Sequence, residues 1–456
     1  MNRLSWFLRG ICFIFLLGCS SPNSEVLFEE LDLEVPFEMA SIKVPDFSLT
    51  NRYVITDFGA EKGDKMAISQ AIASAISEAN NNGGGTVVIP KGEWLTGKVH
   101  LKNNVNLHLE KGAILLFSGD PKDYLPAVQT TWEGMECFNY SPLIYAFGCE
   151  NIAITGEGTL KAEMETWEKW FARPKPHMES LKLLYEQAAK DVAVKDRQFV
   201  NDTANFRPQF IQFNRCKNVL LEGVKIRNSP FWVIHPFMSK NVVIRKVDVY
   251  AHGHNNDGVD PEMSQNILIE DCVFDQGDDA IAVKAGRNQD AWRLNMPTKN
   301  VVIRNCLIKN GHQLLAIGSE LSGGIENIYM ENCEVEEGAK LNHLLFIKTN
   351  ERRGGYVSNI IMKDIKSGKI DQGVLGIETD VLYQWRDLVP TYERRLTSIS
   401  DIQMTNIKAN DVQFVSRILA NEEKPVKNIM LKNIQVDSVR EKDLIHKNVL
   451  GFELDD

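Results

Sequence analysis

KNVVIRKVDVYAHGHNNDGVDPEMSQNILIEDCVFDQGDDAIAVK, residues 240–284, contains two rounds of one phrase: Asn241-Val242-Val243-Ile244 and Asn266-Ile267-Leu268-Ile269. The phrase recurs at Asn104, Asn151, Asn218, Asn300, Asn327, Asn359 and Asn428, with Asp401 as a variant. The shorter intervals are 23, 25 and 27 residues, and the longest is 67. Self-similarity at such a period marks a solenoid, whose units bury their apolar faces only against one another. Within a unit the apolar runs are short, broken by Gly, Asn or Asp, and without helical period. That excludes helical and leucine-rich repeats. It predicts an all-β chain folded as a right-handed, single-stranded parallel β-helix, one coil per unit. Asn at one phase predicts a ladder of stacked side-chain amides at a bend, with coils about 4.8 Å apart.

Outward from the repeats, Asp64 to Asn80 carries an apolar stripe (Met66, Ile68, Ala71, Ile72, Ile76) and runs into Asn81-Asn82-Gly83-Gly84-Gly85. A helix stopping at those glycines is expected, and it would cap the first coil. The long interval after Asn151 holds a second helical pattern, Met178 to Val200; that after Asn359 holds Tyr383, Trp385 and Arg386. Both read as insertions that shape one binding face. The whole stretch 45–456 is read as one domain.

Arg3 and Arg9 flank the start of an apolar run, Ile11 to Leu17, that ends at Gly18-Cys19. The run is too short to span a bilayer and has the layout of a signal peptide. Cys19 resembles the lipidated cysteine of a bacterial lipobox. The expectation is a lipoprotein signal peptide over 1–18, a polar tether over 19–44, and export to a bacterial membrane, the outer one, held only by the lipid. Loss of residues 1–18 would take the formal charge from −10 to about −12, a poor surface for nucleic acid. Cys272, Cys306 and Cys333 each lie six residues after a repeat Asn, where other units have Val or Ile. Cysteines at that phase are read as small core hydrophobes, not as disulfide partners or metal ligands.

Three motifs, two of them acidic, follow repeat phrases: NND ends at Asp257, QGDD at Asp278-Asp279, and GH supplies His312. Asp278 lies 12 residues after Asn266 and His312 lies 12 after Asn300, so these side chains should stack. Asp257 lies 16 after Asn241, and its coil must bulge to bring it alongside. One Asp beside Gly is ordinary turn chemistry. Three carboxyls and an imidazole on one wall form an acid/base set, in which crowding holds one carboxyl protonated. His252 and His254 are read as solvated turn residues, so no metal and no cofactor is expected.

At these residues the chain resembles the polygalacturonase-type glycoside hydrolases (glycoside hydrolase family twenty-eight), which share the pectin-lyase-like β-helix. Val54-Ile55-Thr56-Asp57-Phe58-Gly59-Ala60 and Asn228-Ser229-Pro230-Phe231-Trp232 extend the resemblance. It implies Asp278 as general acid, Asp257 and Asp279 as holders of the attacking water, His312 as their orienting partner, and inversion without metal. The family's RIK motif is matched by Phe346-Ile347-Lys348. Phe346 in place of Arg removes a bidentate carboxylate clamp. Either Arg352, Arg353 or Arg287 replaces it, or that subsite takes a neutral sugar, with Phe346 stacked on it or facing the core. Strand phase puts Lys284 and Lys348 at one position with Gly318 between, an expected anionic-sugar site. Trp167, Trp170 and Trp385 are candidate stacking platforms.

The resemblance implies cleavage of α-galacturonosidic bonds in a pectic polysaccharide or oligogalacturonide; the long insertions favour exo-action or a branched pectin over endo-cleavage, and a monomer is expected. A rhamnogalacturonan-type hydrolase is the alternative. A pectin lyase, which needs a base at C5, and a non-catalytic glycan-binding β-helix are the rivals outside the reaction class.

Overall fold

A computed structural model of the chain describes residues 25–383 and 385–455. The apolar run at 11–17 and Cys19 lie outside the described residues. Among the described residues no helix is long and apolar enough to cross a membrane.

The repeat phrases form a stack of parallel strands. Lys217–Glu222, Lys240–Arg245, Gln265–Glu270 and Thr298–Arg304 pair in sequence order, each one coil beyond the last. The residue after each repeat Asn falls in one inward column, Val219, Val242, Ile267, Val301, Ile328, Ile360, Ile402 and Ile429. A second face stacks Lys225–Arg227, Asp248–Ala251, Val273–Gln276 and Leu307–Asn310. A third stacks Ile281–Val283, Gln313–Gly318, His343–Lys348 and Gly373–Glu378. The result is the right-handed parallel β-helix, the hand that parallel crossovers adopt almost without exception. The core runs along its axis, made of the inward Val, Ile and Leu of every coil.

Asparagine recurs because the bend requires a residue that tolerates left-handed backbone and also bonds to its copies. Asn151, Asn218, Asn241, Asn266, Asn300, Asn327 and Asn359 all have φ between 55° and 58°. Each amide Nδ2 donates to the Oδ1 of the Asn one coil earlier, from Asn151 to Asn104 through to Asn359 to Asn327. Asn tolerates this region better than other non-glycine residues. The cysteines behave as core: Cys272, Cys306 and Cys333 are buried, free and stacked at one phase.

The cap helix, α1 (Lys65–Asn81), starts where Asp64 accepts from the Ala67 N–H and stops where Gly84 N–H returns to Ala79 O. Ile68, Ala71, Ile72 and Ile76 are buried against the first coil, but Met66 is 67% exposed and does not belong to the stripe. After Asn151 come α2 (Glu165–Lys169) and α3 (Lys175–Ala189). Leu181, Leu184 and Tyr185 of α3 pack with Trp132, Met135, Phe206, Phe231 and Trp232, forming a second core outside the barrel. Further along lie α4 (Asn288–Leu294) and α5 (Trp385–Leu388).

One expected boundary is corrected. Part of the segment read as a tether, 19–44, is structure: Leu27–Leu31 and Ile42–Asp46 form an antiparallel pair. Ile42, Val44 and Phe47 lie on Ala153, Leu220, Val243, Leu268 and Val302, the outward residues of the first face. Those outward positions are apolar, so they need a cover; a strap from the N-terminal side supplies it. The domain therefore begins well before residue 45.

Candidate active site

The cluster is built by three successive coils. Asp257 sits in the bulged corner 252–262, which Asn256 holds by donating to Ser229 O (3.0 Å) and Phe231 O (2.9 Å) and accepting from Gly253 N (2.6 Å). The bulge fits only because residue 258 is Gly: a Cβ there would lie 2.5 Å from Ala280 O and 2.7 Å from the Phe274 ring. Backbone bonds then lock the coils in register, Gly258 N to Asp279 O (3.0 Å) and His312 N to Asp278 O (2.8 Å). Asp278 and His312 stack as their common phase requires, with Nδ1 3.0 Å from Oδ1.

Each of the three carboxylates has its own cationic partner. Asp257 faces Lys284 (3.2 Å), Asp278 faces His312 (3.0 Å), and Asp279 accepts from Lys348 (3.0 Å). Asp257 and Asp279 are nearly inaccessible, whereas the Asp278 side chain is 22% exposed toward the cavity. Burial pushes Asp257 up to about 7, against the pull of Lys284 and with the added repulsion of Asp278 and Asp279. Burial likewise raises Asp279, opposed by Lys348. For Asp278 burial is outweighed by the hydrogen bond and charge of His312, which hold it below the usual carboxylate range. The same bond raises His312.

A fourth carboxyl, Asp260, lies behind Asp257 and is fully buried. Ordinary donors do not reach its oxygens; its neighbours are the Asp257 carboxyl and the Lys284 ammonium at 3.4 Å. Burial and the Asp257 charge hold Asp260 well above its ordinary range.

The cluster opens into a cavity of about 220 Å³. Its walls come from three insertions as well as the coils: Glu133 from the hairpin Val128–Asn139, Arg173 from the loop between α2 and α3, and Tyr383 and Trp385 around α5. Trp232, Asn255, Arg287, Ser319 and Glu320 complete it. Asp278, Asp279 and His312 bring ligand atoms within 4.8 Å of one another, a spacing that could hold a cation. Lys348 and Lys284 already supply positive charge to this wall. A larger space of about 660 Å³ lies under the N-terminal strap, lined by Arg52, Arg245 and Glu222 among others, away from the acid cluster.

Several expected binding residues are elsewhere. Lys284 and Lys348 do share one register position flanking Gly318, but Lys284 is 4% exposed and enclosed by Asp257, Asp260 and Glu320. Arg352, Arg353 and Phe346 do not line the cavity. Arg352 donates to Trp385 O and Arg386 O and props α5; Arg353 donates to Ser319 O and Asn288 Oδ1 and props the turn beneath Glu320. Phe346 lies flat on His343, 4.5 Å between ring centres and 5° between planes, over Gly376. Trp167 and Trp170 pack together and on Tyr124 and Tyr140, while Trp385 does reach the cavity. His252 and His254 diverge, to Asp275 (2.6 Å) and Arg173 (3.0 Å). Sequence reasoning missed Asp260, Glu133, Arg173, Trp232 and Glu320. Two of them left a sequence signal: Asp260 as the second acid of Asp257-Gly258-Val259-Asp260-Pro261-Glu262, and Trp232 as the end of Asn228-Ser229-Pro230-Phe231-Trp232.

Residues 86–451 match the family model "Glycosyl hydrolases family 28". A solved structure, a hyperthermoactive exopolygalacturonase from Thermotoga maritima, is 36% identical, with 90% of this chain and 92% of that one covered at a TM-score of 0.81. A Vitis vinifera protein named "Probable polygalacturonase" is 27% identical over 84% of this chain and 73% of its own. The Yersinia enterocolitica family 28 exopolygalacturonase, 21% identical, shares the fold at a TM-score of 0.71 over 91% of this chain and 80% of that one. With a parallel β-helix, an acid cluster on consecutive coils and a family match across most of its length, the chain belongs to the glycosyl hydrolases of family 28.

Proposed function

We propose that this hydrolase cleaves α-galacturonosidic bonds at the end of a pectic chain, with Asp278 as general acid and Asp257 and Asp279 as the water-holding pair. The observation that carries the reading is the matched set Asp257–Lys284, Asp278–His312 and Asp279–Lys348 around one small cavity. Asp278 is the carboxyl most open to the cavity, and its hydrogen bond to the His312 imidazole gives it a source for the proton it donates. Delivery of that proton to the glycosidic oxygen releases the leaving sugar as an alcohol. Water between Asp257 and Asp279 loses a proton to a carboxylate as its oxygen bonds to the anomeric carbon. Inversion follows if that water attacks the face opposite the leaving group.

Exo-action is supported by the cavity itself. At about 220 Å³ it is smaller than the ~300–1,000 Å³ typical of sites for drug-sized ligands, and three insertions wall it. Such a space suits a terminal sugar better than the middle of a polymer. The neutral-sugar alternative drew its support from Phe346, and a ring packed on His343 gives it none.

Asp257, raised to about 7, supports a second assignment in which it is the acid and Asp278 the base. An aryl galacturonide with an activated leaving group separates them. A variant lacking the general acid keeps turnover on that substrate while losing it on oligogalacturonides; one lacking the base loses both. Asp278→Asn is expected to give the first pattern and Asp257→Asn the second. Unsaturated products from polygalacturonate would overturn the hydrolytic reading altogether. Lipid attachment at Cys19 is proposed from the lipobox resemblance alone; Cys19→Ala should release the protein from membranes, and retention there would refute it.

A further inference from the structure

Four basic side chains line the cavity: Lys284, Lys348, Arg287 and Arg173. Three of them are already matched by protein carboxylates. Lys284 has Asp257, Asp260 and Glu320 within 3.5 Å; Lys348 has Asp279 at 3.0 Å. Arg287 has Glu133 at 3.1 Å, and also bonds Glu320 and the Tyr185 hydroxyl. Arg173 differs. Among the described residues its hydrogen-bond partner is His254, with Nη2 3.0 Å from Nε2, and it forms no ion pair with a carboxylate.

The bond to His254 orients Arg173 without neutralising it. Burial, together with the charges of Arg173 and Arg207, holds His254 below its ordinary range, so the imidazole is a neutral acceptor. The loop carrying Arg173 is fixed from beneath. Asn205 donates to Ala172 O (3.0 Å), and the Arg207 guanidinium lies 5.0 Å over the Phe171 ring while donating to His254 O and Asn255 Oδ1. Pro174 restricts residue 173 to extended backbone. A guanidinium held in place at the wall of a cavity, with its charge unspent on protein, is built for an anion.

We infer that Arg173 clamps a carboxylate of the uronate sugar, the fork lost where Phe346 replaces arginine being supplied instead by the inserted loop. This rests on the galacturonide-hydrolase reading and adds the residue that selects the acid over a neutral or esterified sugar. Guanidinium–carboxylate pairs are bidentate and charge-assisted, and an ammonium restores charge without the fork.

The test compares wild type, Arg173→Gln and Arg173→Lys on trigalacturonate and on its fully methyl-esterified form, with calorimetric titration of galacturonate and galactose alongside. For Arg173→Gln, KM on trigalacturonate should rise roughly 10- to 100-fold, with kcat changed less than about threefold. Arg173→Lys should fall between, and both variants should treat the ester much as wild type does. Galacturonate affinity should fall in parallel, with weak galactose binding unchanged. An unchanged KM and affinity, or equal losses on acid and ester, would overturn the role of Arg173. If wild type cleaves no galacturonide, the hydrolase reading fails by itself, and the galacturonate titration still decides the clamp. Should Arg173→Gln not fold, Arg173→Lys carries the same comparison.

Discussion

Replacing Lys284 by Met tests the electrostatic design of the site most directly. The Lys284 ammonium lies 3.2 Å from Asp257 and is 4% exposed. At that distance, and with an effective dielectric of about 20, the attraction is about 5 kcal/mol, equivalent to between about three and four pH units. The ammonium is shared with Asp260 and Glu320, and Lys348 remains nearby, so the expected rise in the Asp257 pKa is smaller, about one to two units. Asp257 already titrates at about 7 with Lys284 present. If Asp257 must be ionised to hold water, activity rises as pH climbs through its pKa. Lys284→Met should therefore move the acid limb of kcat/KM on trigalacturonate up by about one to two units and leave the alkaline limb in place. A thermal melt confirms that the variant is folded, since stranding buried carboxylates costs about 3–5 kcal/mol. An acid limb displaced by less than about 0.3 unit would refute the argument. Displacement of the alkaline limb alone would exchange the roles of Asp257 and Asp278.

Other consequences are independent of catalysis. Burial would raise Glu320, but Arg287, Lys284 and Arg353 outweigh it and hold the carboxyl well below the usual range. Its stabilisation is therefore full above the unfolded value of about 4.3 and lost as pH falls toward the folded one. Urea unfolding of Glu320→Gln should show a loss of about 3–5 kcal/mol at neutral pH that shrinks below about pH 4; a deficit independent of pH would contradict this. In the ladder, Asn266 has φ 55° and bonds Asn241 and Asn300. Asn266→Ala loses two bonds and strains the backbone, about 3 kcal/mol in all, whereas Asn266→Gly loses the bonds alone, about 2 kcal/mol; the opposite order would show that the bend is not what selects Asn. Finally, hydrogen bonding within the thiol stack, first from Cys272, together with burial raises Cys306, so native protein should resist alkylation there until unfolded. Labelling of Cys306 in the native state, followed by mass spectrometry, is the opposing result.

The repeat was legible because a solenoid writes its periodicity into the chain. Asn at one phase, aliphatic residues after it and Cys in the column of Val and Ile each reflect one local requirement, met again at every coil. The pairing of Asp278 with His312 was legible for the same reason: equal offsets from a repeat Asn become equal positions in space. The terminal strap was not legible. Val243, Leu268 and Val302 look like any strand residues until the structure shows that they face outward and are covered by Ile42, Val44 and Phe47. Arg352 and Arg353 were plausible clamps by proximity in sequence, but they are turned away to hold α5 and the Ser319 turn.

By itself, then, the amino-acid sequence determined the parallel β-helix and the pairing of Asp278 with His312, because each depends on interactions between equivalent points of neighbouring coils. Asp257, out of phase with them, joins through the bulge that Asn256 and Gly258 hold. Tertiary structure decided the rest: which cations serve which carboxylates, and which walls close the cavity. Glu133, Arg173, Tyr383 and Trp385 enter from insertions outside the repeat phase. Their positions are set by packing between distant segments, as when α3 docks on Trp132 and Phe231, and no spacing along the chain encodes that packing.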